Sequence, residues 1–578
     1  MKREVLFRTR GARREPWQLA AAAVAVGVAS AGVAVALRSG VHWLFAALEP
    51  IRQEWWGMLL LPAVGAMLGV MIIRVLFDEP GGHGVPAVLE AVTRKAGHMR
   101  RRSIISRLLG SLVNIASGGS AGLEGPIVYS AAAVGSSVAG TMRLAERQRV
   151  LLLACGVAGG IGAIFNAPLT GMIFAMEVVL AEWTLGALLP IAVSATVATE
   201  IGRLVMNSES AFRVTASMEW GGIDLAASAV LGGCAGLLSV GLVVMIFAGE
   251  RFTRRLKVGF WTAKLGVVAG LGGLCVGMLG WLEPGAIGEG YEAVNDALSG
   301  EMVAGGALLL FLFIKLLATT ITLGSNSPGG IFAPSLVLGA LLGYGFGGLL
   351  HWMMPETGFA TPAFFALAAM AGLVSGSMQA PFTGIMLALE TTGGWTGTLP
   401  LIMVSVVSVL VSRTFLRHSF YTWELAERGE LMRPGSDRRI LAEMNAGEMM
   451  DSEAITIETG QSLDDLARLM PTTVRNHFAV IDENGILQGM LDLTTLRGVI
   501  FDEALRRVTP VDTVMDSDVT AIREDQDLLG AMEVFEDSGA WVLPVIDPDG
   551  RFLGTLSKST LFDRYRTELI VQTADHQV

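Results

Sequence analysis

Gly119-Ser-Ala-Gly-Leu-Glu-Gly-Pro126 sets a single carboxylate, Glu124, between glycines and a proline inside a strongly apolar region. A charge at membrane depth costs roughly 3 kcal/mol on insertion scales, so a glutamate there marks a functional site by default. The flanking glycines remove Cβ bulk and expose backbone N–H groups, and Pro126 suits the first turn of a helix. A helix that starts inside the membrane aims its positive dipole end at the cavity before it, and that end attracts anions. A carboxylate in this place occupies the anion position itself, and protonation would expel it. The expected device is a gate.

The surrounding chain is built for lipid. Of 578 residues, 52% are hydrophobic and 16% charged, and the mean hydropathy is +0.55. About seventeen apolar stretches run from Trp17 to Tyr421, many shorter than the ~20 residues that a straight span needs. Short and interrupted apolar segments imply tilted and re-entrant helices, tolerated where backbone lines a protein-enclosed cavity. Before the first stretch, Trp17 to Leu37, lie Lys2, Arg3, Arg8, Arg10, Arg13 and Arg14. No clear cleavage signal follows this long apolar stretch, so residues 1–16 read as a retained cytoplasmic N-terminus under the positive-inside rule. The basic stretches Arg94 to Arg107 and Arg251 to Lys257 are expected on the same side.

The net charge of −11 says little about the ligand, because much of the acid lies beyond about residue 430. Nothing resembles a nucleic-acid-binding patch, a metal site or catalytic machinery. Cys155, Cys234 and Cys275 all fall in Gly/Leu/Ala-rich membrane segments and read as small packing residues rather than a disulfide framework.

Two internal repeats organise the chain. Ala167-Pro-Leu-Thr-Gly-Met-Ile-Phe-Ala-Met-Glu177 is echoed by Ala380-Pro-Phe-Thr-Gly-Ile-Met-Leu-Ala-Leu-Glu390, with six of eleven positions identical. Duplicated membrane halves commonly place a substrate site at their interface, built from broken helices. After the hydropathy falls, Val480-Ile-Asp-Glu-Asn-Gly485 matches Val545-Ile-Asp-Pro-Asp-Gly550, and Met450-Asp-Ser452 matches Met515-Asp-Ser517 at the same offset. Each copy runs from an apolar strand through an Asp-x-x-Gly turn into a second strand and a short helix. This resembles a tandem pair of CBS domains, a regulatory module that often binds adenine nucleotides. Nucleotide-binding members carry Ser/Thr-x-x-Asp after the last strand, whereas here the positions read Asp492-Leu-Thr-Thr495 and Ser557-Lys-Ser-Thr560. The ribose-binding aspartate is missing from both, so an adenine nucleotide is disfavoured and a structural or dimerising role stands beside ligand sensing.

The membrane half resembles the CLC family of chloride channels and anion/proton exchangers. Three motifs occur in the family's order: Gly82-His-Gly-Val-Pro86, Gly119 to Pro126, and Gly329-Gly-Ile-Phe-Ala-Pro334. Tyr421, in Phe420-Tyr-Thr-Trp, matches the tyrosine near the end of the family's membrane domain. Each motif joins glycine to proline, allowing a helix start whose N–H groups solvate a partly dehydrated anion without trapping it. The resemblance implies that Glu124 is the gate, and that the amides of Ile331 and Phe332 with the Tyr421 hydroxyl line a central anion site. Gly82 and His83 would approach an inner site, Leu123 and Gly125 an outer one.

Two departures bear on mechanism. His83 stands where chloride-selective relatives commonly have serine. It would donate an N–H to the anion, become charged on acidification, or point away and leave only its backbone in place. Val178 stands where proton-coupled members place an internal glutamate, and Glu177, one residue earlier, faces another direction on a helix by ~100°. Channel members commonly carry an apolar residue at this position.

The expected fold is therefore an all-α polytopic membrane domain with duplicated halves and broken helices, followed by a cytosolic α/β tandem CBS module. The divisions expected are 1–16, a transport domain over 17–430, a linker over 431–445, CBS domains over 446–505 and 506–570, and a tail over 571–578. The favoured function is proton-uncoupled conduction of chloride or another small anion through a Glu124-gated pore in each subunit of a homodimer. It would lie in a bacterial inner membrane with both termini cytoplasmic. The alternatives are a chloride/proton exchanger with a non-standard proton path, and an anion-responsive sensor whose output is the CBS pair.

Overall fold

The computed structural model describes residues 2–206, 212–255, 265–302, 305–393, 397–428, 444–473 and 475–563, with side chains described from residue 17 onward except at 472. It divides into two compact units, Met1–Leu431 and Met432–Val578. Most of the expected 431–445 linker, the 571–578 tail and the end of the basic stretch at 256–257 lie outside the described residues, as do the side chains of 1–16.

Among the described residues, eight helices of the first unit are long and apolar enough to cross a membrane, including Trp17–Ala47, which runs well past Leu37, and Gly222–Arg255. Four shorter apolar helices accompany them: Ser103–Ala116, Pro168–Leu180, Val267–Leu282 and Pro362–Met378. Sub-length helices at this depth are stable only because protein encloses their ends. Glycine lets the inner helices touch. A Cβ on Gly156 would lie 2.0 Å from the Ala131 carbonyl oxygen, and one on Gly135 would lie 2.0 Å from that of Leu152. The helices Glu124–Thr141 and Glu146–Phe165 thus meet backbone to backbone, the small-residue packing that substitutes for hydrophobic driving force in lipid. Of the three cysteines, all free, Cys155 is buried and Cys234 partly buried, as packing residues would be. Cys275 departs from that expectation. It is exposed, because Val267–Leu282 is apolar on all sides and this residue sits on its outward face.

The sequence repeat reappears as repeated backbone geometry. The helix Glu146–Phe165 ends at Asn166 in the left-handed region (φ 53°), passes Ala167 (φ −135°, ψ 77°) and restarts at Pro168. The helix Pro362–Met378 ends at Gln379 (φ 54°), passes Ala380 (φ −125°, ψ 82°) and restarts at Pro381. The two restarted helices cap each other. The Glu177 carboxylate accepts from the Phe382 and Thr383 amides at 3.2 and 2.8 Å and from the Thr383 hydroxyl at 2.7 Å. Glu390 accepts from the Leu169 and Thr170 amides at 2.9 and 2.6 Å and from the Thr170 hydroxyl at 2.7 Å. A reciprocal contact of this kind is what a local two-fold relation between duplicated elements produces.

The second unit contains two copies of one α/β motif. Strands β1 (Thr456–Glu458), β2 (His477–Ile481) and β3 (Leu487–Asp492) form one sheet, and β4 (Ile522–Arg523), β5 (Val542–Ile546) and β6 (Phe552–Ser557) the other. In each, the first pair is parallel and the second antiparallel, with a register shift at the end of the middle strand. The hairpins turn through Gly485 (φ 80°) and Gly550 (φ 85°), where a side chain would be strained. Asp482 Oδ1 accepts from the amides of Asn484 and Ile486, and Asp547 Oδ1 from those of Asp549 and Arg551. The Asp-x-x-Gly pattern is the chemistry of this turn.

Candidate functional site

The three glycine–proline motifs, far apart in sequence, converge. Gly122 and Gly330 exchange two backbone hydrogen bonds of 2.8 Å, tying the second motif to the third. A Cβ on Gly84 would lie 2.1 Å from the Gly125 carbonyl oxygen, so the first motif reaches the second at a distance only glycine permits. Each motif ends in a helix start: His83 precedes Gly84–Arg94, Leu123 precedes Glu124–Thr141, and Ile331 precedes Phe332–Met353. In all three the proline is the third helical residue, where it removes an N–H and leaves those before it. None of the three starts has a side-chain cap, and His83, Leu123, Ile331 and Phe332 are all buried. Buried helix amides with no capping side chain call for a ligand.

Glu124 lies at this junction, buried to 1% exposure. Its carboxyl sits over its own amide and that of Ala333, so it occupies the ground in front of two helix starts. The Tyr291 hydroxyl donates to Oε1 at 3.3 Å, while Oε2 has no hydrogen-bond partner among the described residues. Gly122 makes the position possible: a Cβ there would lie 2.0 Å from Oε2. Beyond Glu124 opens a cavity of about 880 Å³ reached by Leu123, Phe165, Arg38, Arg52 and Glu289. Lys315, fully buried, donates to the carbonyls of Ala286 and Gly288 at 3.1 Å each, and its charge and that of Arg38 act on Glu289.

From this cavity a row of rings leads to the first motif. Phe165 stacks on Phe332 at 5.5 Å, Phe332 meets Phe174 at 6.2 Å, and Phe174 meets Tyr421 at 6.1 Å. Tyr421 then meets Phe420 at 5.6 Å, and Phe420 meets the His83 ring at 4.8 Å. Tyr421 is buried and feels the charge of Glu124. Its helix, Phe420–Glu427, differs from the three motif helices: Ser419 caps it in a reciprocal box with Thr422. Its amides are occupied, and what it presents is a side chain.

At the far end Gly82 has φ 111°, which suits glycine alone, and the segment is clamped from behind. Arg107 donates to the carbonyls of Pro80 (3.1 Å) and Gly82 and stacks over Tyr129. The buried carboxylate of Glu79 accepts from the hydroxyls of Ser103 (2.5 Å), Ser106 and Tyr129 (3.4 Å). The His83 imidazole is turned to Glu250, with Nε2 2.8 Å from Oε1. Of the three outcomes open to His83, the geometry is that of a side chain engaged by protein.

Val178 lies in a π-helical segment, Ala175–Leu180, half-buried against the core. Neighbouring Glu177 is held by Thr383 and Phe382 as described above. Sequence reasoning missed Tyr291, Glu250 and Arg107. Each acts on a motif more than twenty residues away, and none sits in a pattern of its own. The signal available was the bare fact of ionisable residues in apolar surroundings, which Glu250 and Lys315 share with Glu124.

Comparison with known proteins agrees with this geometry. The family described as voltage gated chloride channel matches residues 64–413, and the CBS domain family matches 446–502 and 511–566. The H(+)/Cl(-) exchange transporter ClcA of Klebsiella pneumoniae (strain 342) is 32% identical over 409 residues, 68% of this chain and 84% of that protein. A slow cyanobacterial Cl-/H+ antiporter superposes with a TM-score of 0.64 over 71% of this chain and 98% of its own, at 24% identity. A eukaryotic CLC transporter superposes with a TM-score of 0.62 over 94% of this chain and 98% of its own, at 20% identity, which speaks for the fold of both units. With its motifs meeting at one buried carboxylate, this integral membrane protein belongs to the CLC family of anion transport proteins, extended by a C-terminal pair of CBS domains.

Proposed function

We propose that the protein exchanges chloride, or another small anion, for protons, through one Glu124-gated path in each subunit of a homodimer in a bacterial inner membrane. The observation that carries this reading is the position of the Glu124 carboxyl over the amides of two uncapped helix starts. An anion and the carboxylate compete for the same donors, so anion occupancy and protonation of Glu124 are thermodynamically linked, each altering the affinity for the other. The relatives named as H(+)/Cl(-) exchangers support exchange over the uncoupled conduction favoured from the sequence. In this reading the amides of Ile331 and Phe332 and the Tyr421 hydroxyl hold the central ion. Gly82 and His83 border the inner approach, Leu123 and Gly125 the outer. Both termini face the cytoplasm, with the basic stretches.

A channel is the second reading, and one observation favours it: Val178 carries no proton and Glu177 is committed to capping a helix. Purified protein in liposomes, under combined chloride and pH gradients, separates the two. Exchange predicts chloride-driven uphill proton movement at a fixed ratio and a reversal potential that moves with the pH gradient. A reversal potential set by chloride alone would establish the channel. Glu124→Gln should remove proton movement and make anion flux insensitive to pH; an unchanged pH profile would take Glu124 out of the gating role.

A further inference from the structure

The exchange reading leaves a chemical vacancy. A proton must load from the side opposite Glu124, yet the sequence position associated with that task holds valine and its neighbour is a helix cap. The opposite end of the ring row holds a different acid–base pair. His83 Nε2 and Glu250 Oε1 stand 2.8 Å apart, with both side chains buried, 6% and 4% exposed. The other Glu250 oxygen, Oε2, accepts from Arg254 at 2.9 Å, and Arg254 is 54% exposed. Arg254 also lines a cavity of about 160 Å³ with Arg74, Thr253 and Asn326, so the partner of Glu250, rather than the pair itself, faces open space. The inner end is the His83 ring against Phe420, the last member of the row that begins at Phe165.

We infer that Glu250 with His83 is the proton-loading station of the exchange, doing from the Gly222–Arg255 helix what a carboxylate at Val178 would otherwise do. This rests on the exchange reading of the Glu124 site. The pair gains one proton from the water beside Arg254 and carries it as a carboxylate–imidazolium couple. Water that enters the anion path relays the same proton to the Glu124 carboxylate, since the phenyl rings of the row have none to pass, and the pair returns to carboxylate–imidazole. Glu124, neutralised, leaves the amides in front of it to the anion. No other reactant is consumed. Arg254 cannot itself serve as the carrier, since guanidinium does not release its proton in proteins, and it instead holds Glu250 open toward water.

The surrounding charges suit a pair that changes charge by one. On the helix of Glu250 the group facing it is Arg254. From Ser103–Ala116, Arg107 grips the Gly82 carbonyl next to His83. From Phe420–Glu427, Glu424 lies 3.9 Å from the Cβ position at Gly82 and is itself paired with Arg428 at 2.5 Å.

The test uses the full chain in liposomes, with proton and chloride movement recorded together by electrodes. Glu250→Gln keeps the shape and removes the carboxylate that holds the proton on the imidazole. Its proton-to-chloride ratio should fall at least tenfold, and the reversal potential should move to the chloride value. Glu250→Asp should keep coupling, and His83→Asn should lose it by the same ratio. Where Glu250→Gln does not assemble as judged by gel filtration, His83→Asn and Glu250→Asp decide by that ratio. Wild-type coupling retained in Glu250→Gln or His83→Asn would overturn the inference and leave the exchange reading intact, as would proton and chloride flux falling in parallel. Wild-type protein that moves no protons would overturn both.

Discussion

Three helix starts in each unit make opposite use of the same backbone chemistry. In the CBS unit, Asp492, Asp502 and Asp527 each lend a carboxylate oxygen to the amides of the helix they precede. In the membrane unit, the starts after His83, Leu123 and Ile331 have no capping side chain and are buried. A capped start is a finished structure, and a cap contributes about 1 kcal/mol. An uncapped start in an enclosed place is unfinished, and a ligand completes it. The lone carboxylate at the membrane junction, Glu124, lies over such amides without being tied to its role by a chain of partners, whereas Asp492 is held by the Thr494 amide and hydroxyl at 2.9 and 2.5 Å. The comparison also bears on the CBS unit itself. Asp492 and Ser557, where a nucleotide would be received, are spent on their own helix starts, Ser557 on the Thr560 amide at 3.0 Å.

The most damaging way to break this comparison is to push the uncapped starts apart. Gly84→Ala puts a Cβ 2.1 Å from the Gly125 carbonyl oxygen and 2.7 Å from its carbon, atoms that cannot swing away. We expect a loss on the order of 3 kcal/mol, the upper end for overpacking, seen as a lower yield of monodisperse protein after heating and near-complete loss of anion flux. Wild-type flux in Gly84→Ala would mean that the motifs do not meet as described.

Gly122→Ala sharpens the comparison with a milder change. Its Cβ meets Glu124 Oε2 at 2.0 Å, the far end of a flexible side chain, and the Ala333 Cβ at 3.0 Å. The carboxyl should swing out of its place, so that flux loses much of its pH dependence while assembly is largely kept. A full wild-type pH profile would show that the carboxyl does not need this space.

Removing a cap in the other unit should cost stability and nothing else. Asp492→Ala is expected to lower stability of the CBS unit by about 1 kcal/mol, read as faster hydrogen exchange in Leu493–Ile500, without altering anion selectivity. A changed chloride/nitrate permeability ratio in this variant would contradict the division of labour.

The smallest effect is set by pH. The Arg475 guanidinium, bonded to Asp451 at 2.7 and 2.8 Å, holds that carboxyl below its ordinary range. A depressed folded value means that the stabilisation is present above the unfolded value near 3.9 and fades as pH falls through the folded one. Both side chains are about a third exposed, so the effect is small. Asp451→Asn should reduce protection of the amides around Asp451 and Thr555 at neutral pH, and the difference from wild type should shrink once the pH drops below about 4. A difference of constant size down to pH 2 would count against the ion pair as its source.

Much of the membrane unit was legible because it is written in local chemistry. Glycine before proline in an apolar setting announces an intramembrane helix start, and each of the three such motifs makes one. The duplicated Ala-Pro-x-Thr-Gly segments announced a structural repeat, and the backbone repeats almost angle for angle at Asn166 and Gln379. The mutual capping by Glu177 and Glu390 was not legible, although both residues stood in the repeat, since a repeat does not say what its members touch. The turn toward Glu250 taken by His83 was open for the same reason. A histidine in a motif has several partners within reach, and the choice belongs to a helix 167 residues away.

Residue type and short spacing, by themselves, determined where helices begin, which positions demand glycine, that the chain enters lipid, and that its polar end is a doubled strand–turn–strand unit. These are decided within a turn or two of backbone, by Cβ sterics, missing N–H groups and the cost of exposing polar backbone to lipid. Only the tertiary structure decided that Gly84 meets Gly125, that Gly122 pairs with Gly330, that Glu124 lies over the Ala333 amide, and that His83 and Glu250 share a hydrogen bond. Those contacts join segments with no periodic relation, and they depend on how packed helices of fixed shape bring their ends together.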